Sequence, residues 1–265
     1  MQKIGHFYFA LTVDNSTYPT TINCAIPDSA TNKCIKSSGS NTYGYKAYSP
    51  TSYMLVSMNG NTCYSITNNS SPVENCVTIG TQTWMKYNLD VGDRIDGINN
   101  QTSNSIVEKH CYNNNPSNCT AYGGLYQWDE MMQYSTTEGV QGIAPAGFHI
   151  PTHSEYKTLE MFLGMTQEQA NAILWRGTTE GDQLKSAGLC QGRTPCATGN
   201  FNALFGGYSY GGGLGGLNSM GFFWTSSQNG VSVAWYRYLY ITYAQSGTYY
   251  GFDKTVSFSV RALKN

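Results

Sequence analysis

The residues of this chain that could bind a metal or attack a substrate are its cysteines, histidines and carboxylates. Eight cysteines fall in close pairs: Cys24 with Cys34, Cys63 with Cys76, Cys111 with Cys119 and Cys190 with Cys196. Zinc sites usually carry Cys-x-x-Cys spacing with histidines nearby, and neither is present. The economical reading is four local disulfides formed in an oxidising compartment. The histidines His6, His110, His149 and His153 are scattered, without the glutamate spacing of a zinc hydrolase. His149 reads as a structural histidine and His153 as a solvated residue in a helix's first turn. Asp129 with Glu130, and Glu155 with Glu160, read as helix-surface pairs rather than as two acids across a hydrolytic cleft. The glycine-rich stretch from Gly206 to Gly213 has no following lysine, so it reads as turns and not as a phosphate loop.

What remains is a concentration of aromatic side chains near the end. Residues 234–243 run Ala-Trp-Tyr-Arg-Tyr-Leu-Tyr-Ile-Thr-Tyr, and Tyr249, Tyr250, Phe252 and Asp253 follow. With a strand period of two, Tyr236, Tyr238, Tyr240 and Thr242 share one side, and Trp235, Arg237, Leu239 and Ile241 share the other. The first reading is a binding surface with the tyrosines facing water, since tyrosine offers stiff contact area and a hydroxyl at low entropic cost. The second is a strand buried on both faces, because aromatics favour strands in any case. Tyr208 and Tyr210 would extend the tyrosine patch.

The elements that must carry these residues are short. Charged residues make up 12% of the chain, about half the usual share, while glycine and the hydroxyl and amide residues abound. Such a composition predicts short strands joined by many turns. A net charge of −1 leaves no electrostatic footprint for nucleic acid or an anionic membrane. No apolar run is long enough to span a bilayer, so no direct membrane insertion is expected. Residues 1–72 read as a separate small unit: a helix end around Ile4 to Leu11, strands at 43–48 and 53–58, and a tight turn at Asn59-Gly60 before Cys63. Asn68 to Pro72 is the linker candidate. Within 73–265, helices are expected around 123–132, from Thr152 with Glu155 as a capping box, and from Thr166 to Arg176 with Gln169 in the same role. Several short strands complete an α+β fold.

Seven segments carry a resemblance. Ile79-Gly-Thr-Gln-Thr-Trp-Met85, Tyr87-Asn-Leu89, Gly123-Gly-Leu-Tyr-Gln-Trp128, Pro145-Ala-Gly-Phe-His-Ile-Pro151, Phe201-Asn-Ala-Leu204, Phe223-Trp-Thr-Ser-Ser227 and Phe258-Ser-Val-Arg261 occur in this order. Together they resemble the Fibrobacter succinogenes major paralogous domain, over residues 73–265. The resemblance implies a C-type lectin fold with short twisted antiparallel strands and two to three helices, related to formylglycine-generating enzymes. It also implies that the first and last strands pair, bringing residues 83–85 near 257–261. Ala144 and Ala262 stand where the family commonly has cysteines, as the loss of one disulfide would leave them, and Phe148 replaces the usual tryptophan. The first unit resembles the globular part of type IV pilins and pseudopilins, which implies an apolar helix upstream of Lys3; a plain small β-rich unit fits it as well.

Members of the family recur as variable proteins of diversity-generating retroelements, in which adenine-directed mutagenesis rewrites codons near the C-terminus. By that resemblance Trp235, Arg237 and Leu239 are constant scaffold. Tyr236, Tyr238, Tyr240, Ile241, Thr242, Tyr243, Ser246, Thr248, Tyr249, Tyr250, Phe252 and Asp253 are ligand-binding positions. All of them are reachable from an asparagine AAC codon by adenine changes alone. The implied function is a ligand-binding protein at the cell surface or outside the cell, an adhesin or receptor-binding protein. Its partner would be a protein or glycan on another cell or virus, and its first unit could meet pilus subunits. The alternative is a non-diversified polysaccharide-binding module. Catalysis is not expected, because formylglycine-generating relatives use a late cysteine pair and no cysteine follows Cys196. The triplets of calcium-dependent sugar sites are missing, so no cofactor or metal is expected. Asp182 or Asp253 could hold a structural calcium, with no motif to support it.

Overall fold

A computed structural model describes the backbone of five strands between residues 33 and 74, and all of residues 76–265. The first five strands, β1 (Lys33–Ser38), β2 (Asn41–Ser49), β3 (Ser52–Asn59), β4 (Thr62–Ile66) and β5 (Val73–Glu74), form an antiparallel meander in chain order. The strands expected at 43–48, 53–58 and from Cys63 lie within β2, β3 and β4, and the Asn59–Thr62 pair closes the expected tight turn. The expected N-terminal helix, Cys24 and the linker candidate lie outside the described residues.

From Cys76 onward the chain is α+β. Its elements are β6 (Cys76–Ile79), β7 (Gln82–Met85), β8 (Asp93–Arg94), β9 (Glu108–Lys109), α1 (Pro116–Tyr122), α2 (Trp128–Met131), β10 (Phe148–His149), α3 (His153–Phe162), α4 (Gln167–Asn171), β11 (Leu174–Arg176), α5 (Glu180–Leu184), β12 (Gly206–Tyr210), β13 (Gly213–Leu217), β14 (Met220–Gln228), β15 (Val233–Tyr240), β16 (Ser246–Asp253) and β17 (Leu263–Lys264). One sheet has the order β10-β17-β7-β6, and a larger one β11-β16-β15-β14-β12-β13. The last strand returns to the first: Leu263 pairs with Trp84, and the amides of Met85 and Leu89 donate to Ala262 O and Val260 O at 3.0 and 2.8 Å. Phe258 pairs with Tyr126 and Ser259 with Phe223, so residues 257–261 lace the two sheets together.

Both expected capping boxes form. Thr152 Oγ1 accepts from the Glu155 amide at the start of α3, and Thr166 Oγ1 from the Gln169 amide at the start of α4. The helix expected to run to Arg176 ends at Asn171. Ala172 is extended and Leu174 has a φ of 65°, which turns Trp175 and Arg176 into an edge strand beside β16. The helix expected from Gly123 is only the turn at α2, because the peptide groups of Leu125 and Tyr126 pair with His110 and Phe258. Two further short helices form: α1 begins inside the Cys111–Cys119 loop, and α5 lies in the region where short strands are the sequence expectation. Two disulfides are seen directly, Cys111–Cys119 and Cys190–Cys196. Cys76 is also disulfide-bonded.

The core has two parts. One gathers Tyr126, Trp128, Trp224, Phe258 and the fully buried Phe148, Ala144 and Ala262. The other packs α3 against the large sheet through Trp84, Tyr156, Leu159, Phe201, Phe223 and Leu239. No described helix is long and apolar enough to cross a membrane.

Candidate functional site

β15 sends alternate side chains to two faces, and both are covered over residues 236–239, each by a different environment. Arg237 and Leu239 point toward α3, where both are buried. Glu160, on α3, receives Arg237 Nε at Oε1 (3.0 Å), Arg176 Nη2 at Oε2 (2.5 Å) and Ser246 Oγ at Oε1 (2.9 Å). Arg237 also donates to Thr248 Oγ1 at 2.7 Å and to His153 Nδ1 at 2.9 Å. Burial alone would raise the Glu160 pKa, but the two guanidiniums hold it below the ordinary carboxylate value. Burial pulls Arg237 down to about 10, which leaves it charged at neutral pH. The network therefore ties α3, β11, β15 and β16 into one body through paired, hydrogen-bonded charges.

This network corrects several expectations. Glu160 is sealed inside and not on a helix surface. Glu130 is buried as well, accepting from Tyr134 Oη at 2.6 Å and from the Glu108 amide at 2.9 Å. His153 is not a solvated group: its ring lies 4.0 Å from that of Trp235, and burial together with Arg237 lowers its pKa to about 2. Ser246 and Thr248, expected to touch ligand, are fully buried; Thr248 Oγ1 donates to Tyr236 O at 3.0 Å. Their hydroxyls serve the network because antiparallel pairing aligns Thr248 with Arg237 and Ser246 with Arg176. Trp235, expected inside, is half-buried between His153 and Tyr250. His149 is structural, bonded to Glu155 at 2.9 Å and Asn265 at 2.8 Å.

The opposite face holds the aromatics. Phe222 and Trp224 of β14 lie beside Tyr238 and Tyr236 of β15, with Tyr249 and Gly247 opposite them on β16. Tyr236 and Tyr238 do not stand free in water: only 5% and 7% of their surface is exposed. Phe222, Trp224, Phe252 and Phe258 pack around Tyr236, so the face covers itself. Neither hydroxyl is among the sealed, unpartnered polar atoms of the described residues, so both tips stay at the solvent edge. Burial raises both phenol pKa values, that of Tyr238 to about 12, so both remain neutral.

Solvent reaches this face at its rim. Tyr240, Tyr249 and Tyr250 are half-buried, while Thr242, Tyr243, Phe252 and Asp253 are exposed, Tyr243 at 44% and Phe252 at 39%. Ile241, expected to touch ligand, is half-buried against the other core cluster, with Leu239 and Leu184. Tyr208 joins through an edge-on contact with Phe222 at 5.7 Å, while Tyr210 is exposed at the neighbouring turn. The residue that sequence reasoning missed is Trp175. Its ring touches those of Tyr238 at 4.5 Å, Tyr240 at 4.9 Å and, stacked, Tyr243 at 4.4 Å. Its segment reads as the end of a helix in the sequence, and only the positive φ of Leu174 turns it into an edge strand. What the rings of this face offer is stacking, apolar contact and neutral hydroxyls.

Both carboxylates considered for calcium have other partners. The oxygens of Asp182 accept from Lys185 and Arg193, and Asp253 Oδ1 accepts from Thr255. Among the described residues, no group of three or more metal-ligating side chains converges.

Residues 77–264 match the family model described as the Fibrobacter succinogenes major domain. No curated protein and no solved structure matches the chain.

Proposed function

The chain belongs to the Fibrobacter succinogenes major domain family, and on that premise we propose that it is a ligand-binding protein whose aromatic face is its recognition surface. The observation that carries this reading is the cluster of Trp175, Tyr238, Tyr240 and Tyr243, aromatic rings packed together on a floor at Tyr238 and open to solvent at Tyr243, on a sheet braced from behind by buried ion pairs. Binding energy at such a surface comes from a few well-packed aromatic anchors. The scaffold is a C-type lectin fold, displayed outside the cell by an N-terminal unit of pilin type, and the partner is a protein or glycan on another cell or virus.

The rim is diversified by a retroelement. Tyr240, Thr242, Tyr243, Tyr249, Tyr250, Phe252 and Asp253 supply it; Ile241, Ser246 and Thr248 belong to the scaffold, and Tyr236 and Tyr238 to its floor. Sequencing the gene's neighbourhood tests diversification: a reverse transcriptase and an imperfect repeat of the codons for Trp235 to Arg261 are expected. Absence of both would refute it. Alanine at Tyr240, Tyr243 and Phe252 should abolish ligand capture while leaving the fold intact. Binding to cellulose or chitin that survives those changes would instead favour a constant polysaccharide module acting through another surface. On this reading the protein binds and does not catalyse.

A further inference from the structure

The turn joining β15 to β16, residues 241–245, presents Thr242 and Tyr243 to solvent, and its main chain is held from beneath. Lys185 Nζ donates to Tyr243 O at 2.6 Å, Arg193 Nη2 to Ile241 O at 2.7 Å, and the Asp182 amide to Ala244 O at 2.9 Å. Asp182 holds the two cations in place. Its Oδ1 accepts from Lys185 Nζ at 2.6 Å and Arg193 Nη2 at 3.0 Å, and its Oδ2 from Arg193 Nε at 2.7 Å. Asp182 and Lys185 are sealed from water and lie three residues apart at the end of α5, which puts them on one face. Gly181 lets α5 come this close: a Cβ there would lie 2.1 Å from Gln245 O. Arg193 stands inside the loop closed by the Cys190–Cys196 disulfide, and its amide donates to Cys190 O at 3.0 Å.

Each of these contacts with the turn ends on a backbone carbonyl. Every residue type carries the same carbonyl, so the grip does not depend on the side chains at 241–243. The carboxylate balances one of the two cations, and the carbonyl dipoles of Ile241 and Tyr243 face the charge left over. We propose that Asp182, Lys185 and Arg193 form a clamp that fixes the geometry of the ligand-bearing turn whatever side chains it carries, with the disulfide setting the reach of Arg193. These are positioning residues. Their purpose rests on the reading of the aromatic face as the recognition surface, whereas their action can be measured without any ligand.

Amide hydrogen exchange on the full chain reads it. The Tyr243 amide donates to Tyr240 O within the turn, the Asp182 amide to Ala244 O against it, and the Ile241 amide to Ser219 O on the neighbouring connection. Arg193→Met and the pair Cys190→Ser with Cys196→Ser should speed their exchange by about tenfold or more, leaving amides of β14 unchanged. Arg193 is partly exposed, so this variant keeps the fold where Asp182→Asn risks losing it. Thr242→Lys and Tyr243→Ser should leave the same amides within about twofold. Unchanged exchange in Arg193→Met would overturn the clamp, and so would loss of protection on changing residue 242 or 243. Failure of the ligand reading leaves all these outcomes as they are.

Discussion

The ring of Tyr238 lies across the strand boundary over Gly247, so close that a Cβ on the glycine would stand 2.2 Å from it. Position 247 accordingly has no room for a side chain while Tyr238 keeps its place. Gly247→Ala should destabilise the protein by about 1–3 kcal/mol, the usual cost of overpacking. Adding Tyr238→Ser should recover part of that loss, so a double-mutant cycle by chemical denaturation should show coupling. Simple additivity would mean that the ring moves aside freely.

The tyrosines of one row should behave unequally. Tyr236→Ala empties a buried ring site and should cost about 3–5 kcal/mol. Thr242→Ala, at an exposed position, should stay within about 0.5 kcal/mol. Denaturation midpoints of the two variants separate floor from rim.

Glu160→Gln removes the only carboxylate facing Arg176 and Arg237 in the described network. Two buried guanidiniums would then lie together uncompensated, and stability should fall by about 3–5 kcal/mol. Arg237→Lys keeps the charge but loses the fork that reaches Glu160, His153 and Thr248 together, so it should also destabilise. Urea unfolding of both variants provides the measurement.

Stability should peak near neutral to mildly acidic pH, and the histidines give the sign. Burial and neighbouring cations lower the His153 pKa to about 2, and burial lowers that of His110. Below the ordinary value of 6.5 the unfolded chain takes up protons that these two rings refuse, so stability falls as pH drops, by at most about 1.4 kcal/mol per pH unit for each ring. His149 acts in reverse. Burial opposes its charge, but Glu155 and Asn265 outweigh this and raise its pKa, so its contribution is present below 6.5 and lost as pH climbs through the raised value. His153→Gln should flatten the acid limb and His149→Gln the alkaline one, read from unfolding free energies between about pH 4 and 9.

Local signals in the sequence were legible where the physics is local. The Thr152 and Thr166 capping boxes, the alternation of β15 and the close cysteine pairs at 111/119 and 190/196 all act within a few residues. Alternation assigns side chains to two faces, however, and is silent on what covers each face. Tyr236 is buried by Phe222 and Phe258, which arrive from other segments. Ser246, Thr248 and Glu160 read as surface because small polar and charged residues usually are, and only a distant arginine pair makes their burial tolerable. Trp175 was hidden by a helix expectation that Leu174, with its positive φ, breaks.

The pairing of Trp84 with Leu263 brings the entry and exit of residues 76–265 side by side. A unit whose two ends meet needs almost no gap in a host chain. Spliced into a surface turn, it should leave the host's ends where they are. The same geometry gives a direct route to circular permutants: a short linker across the old ends, with new ends opened in an exposed turn far from β15 and β16.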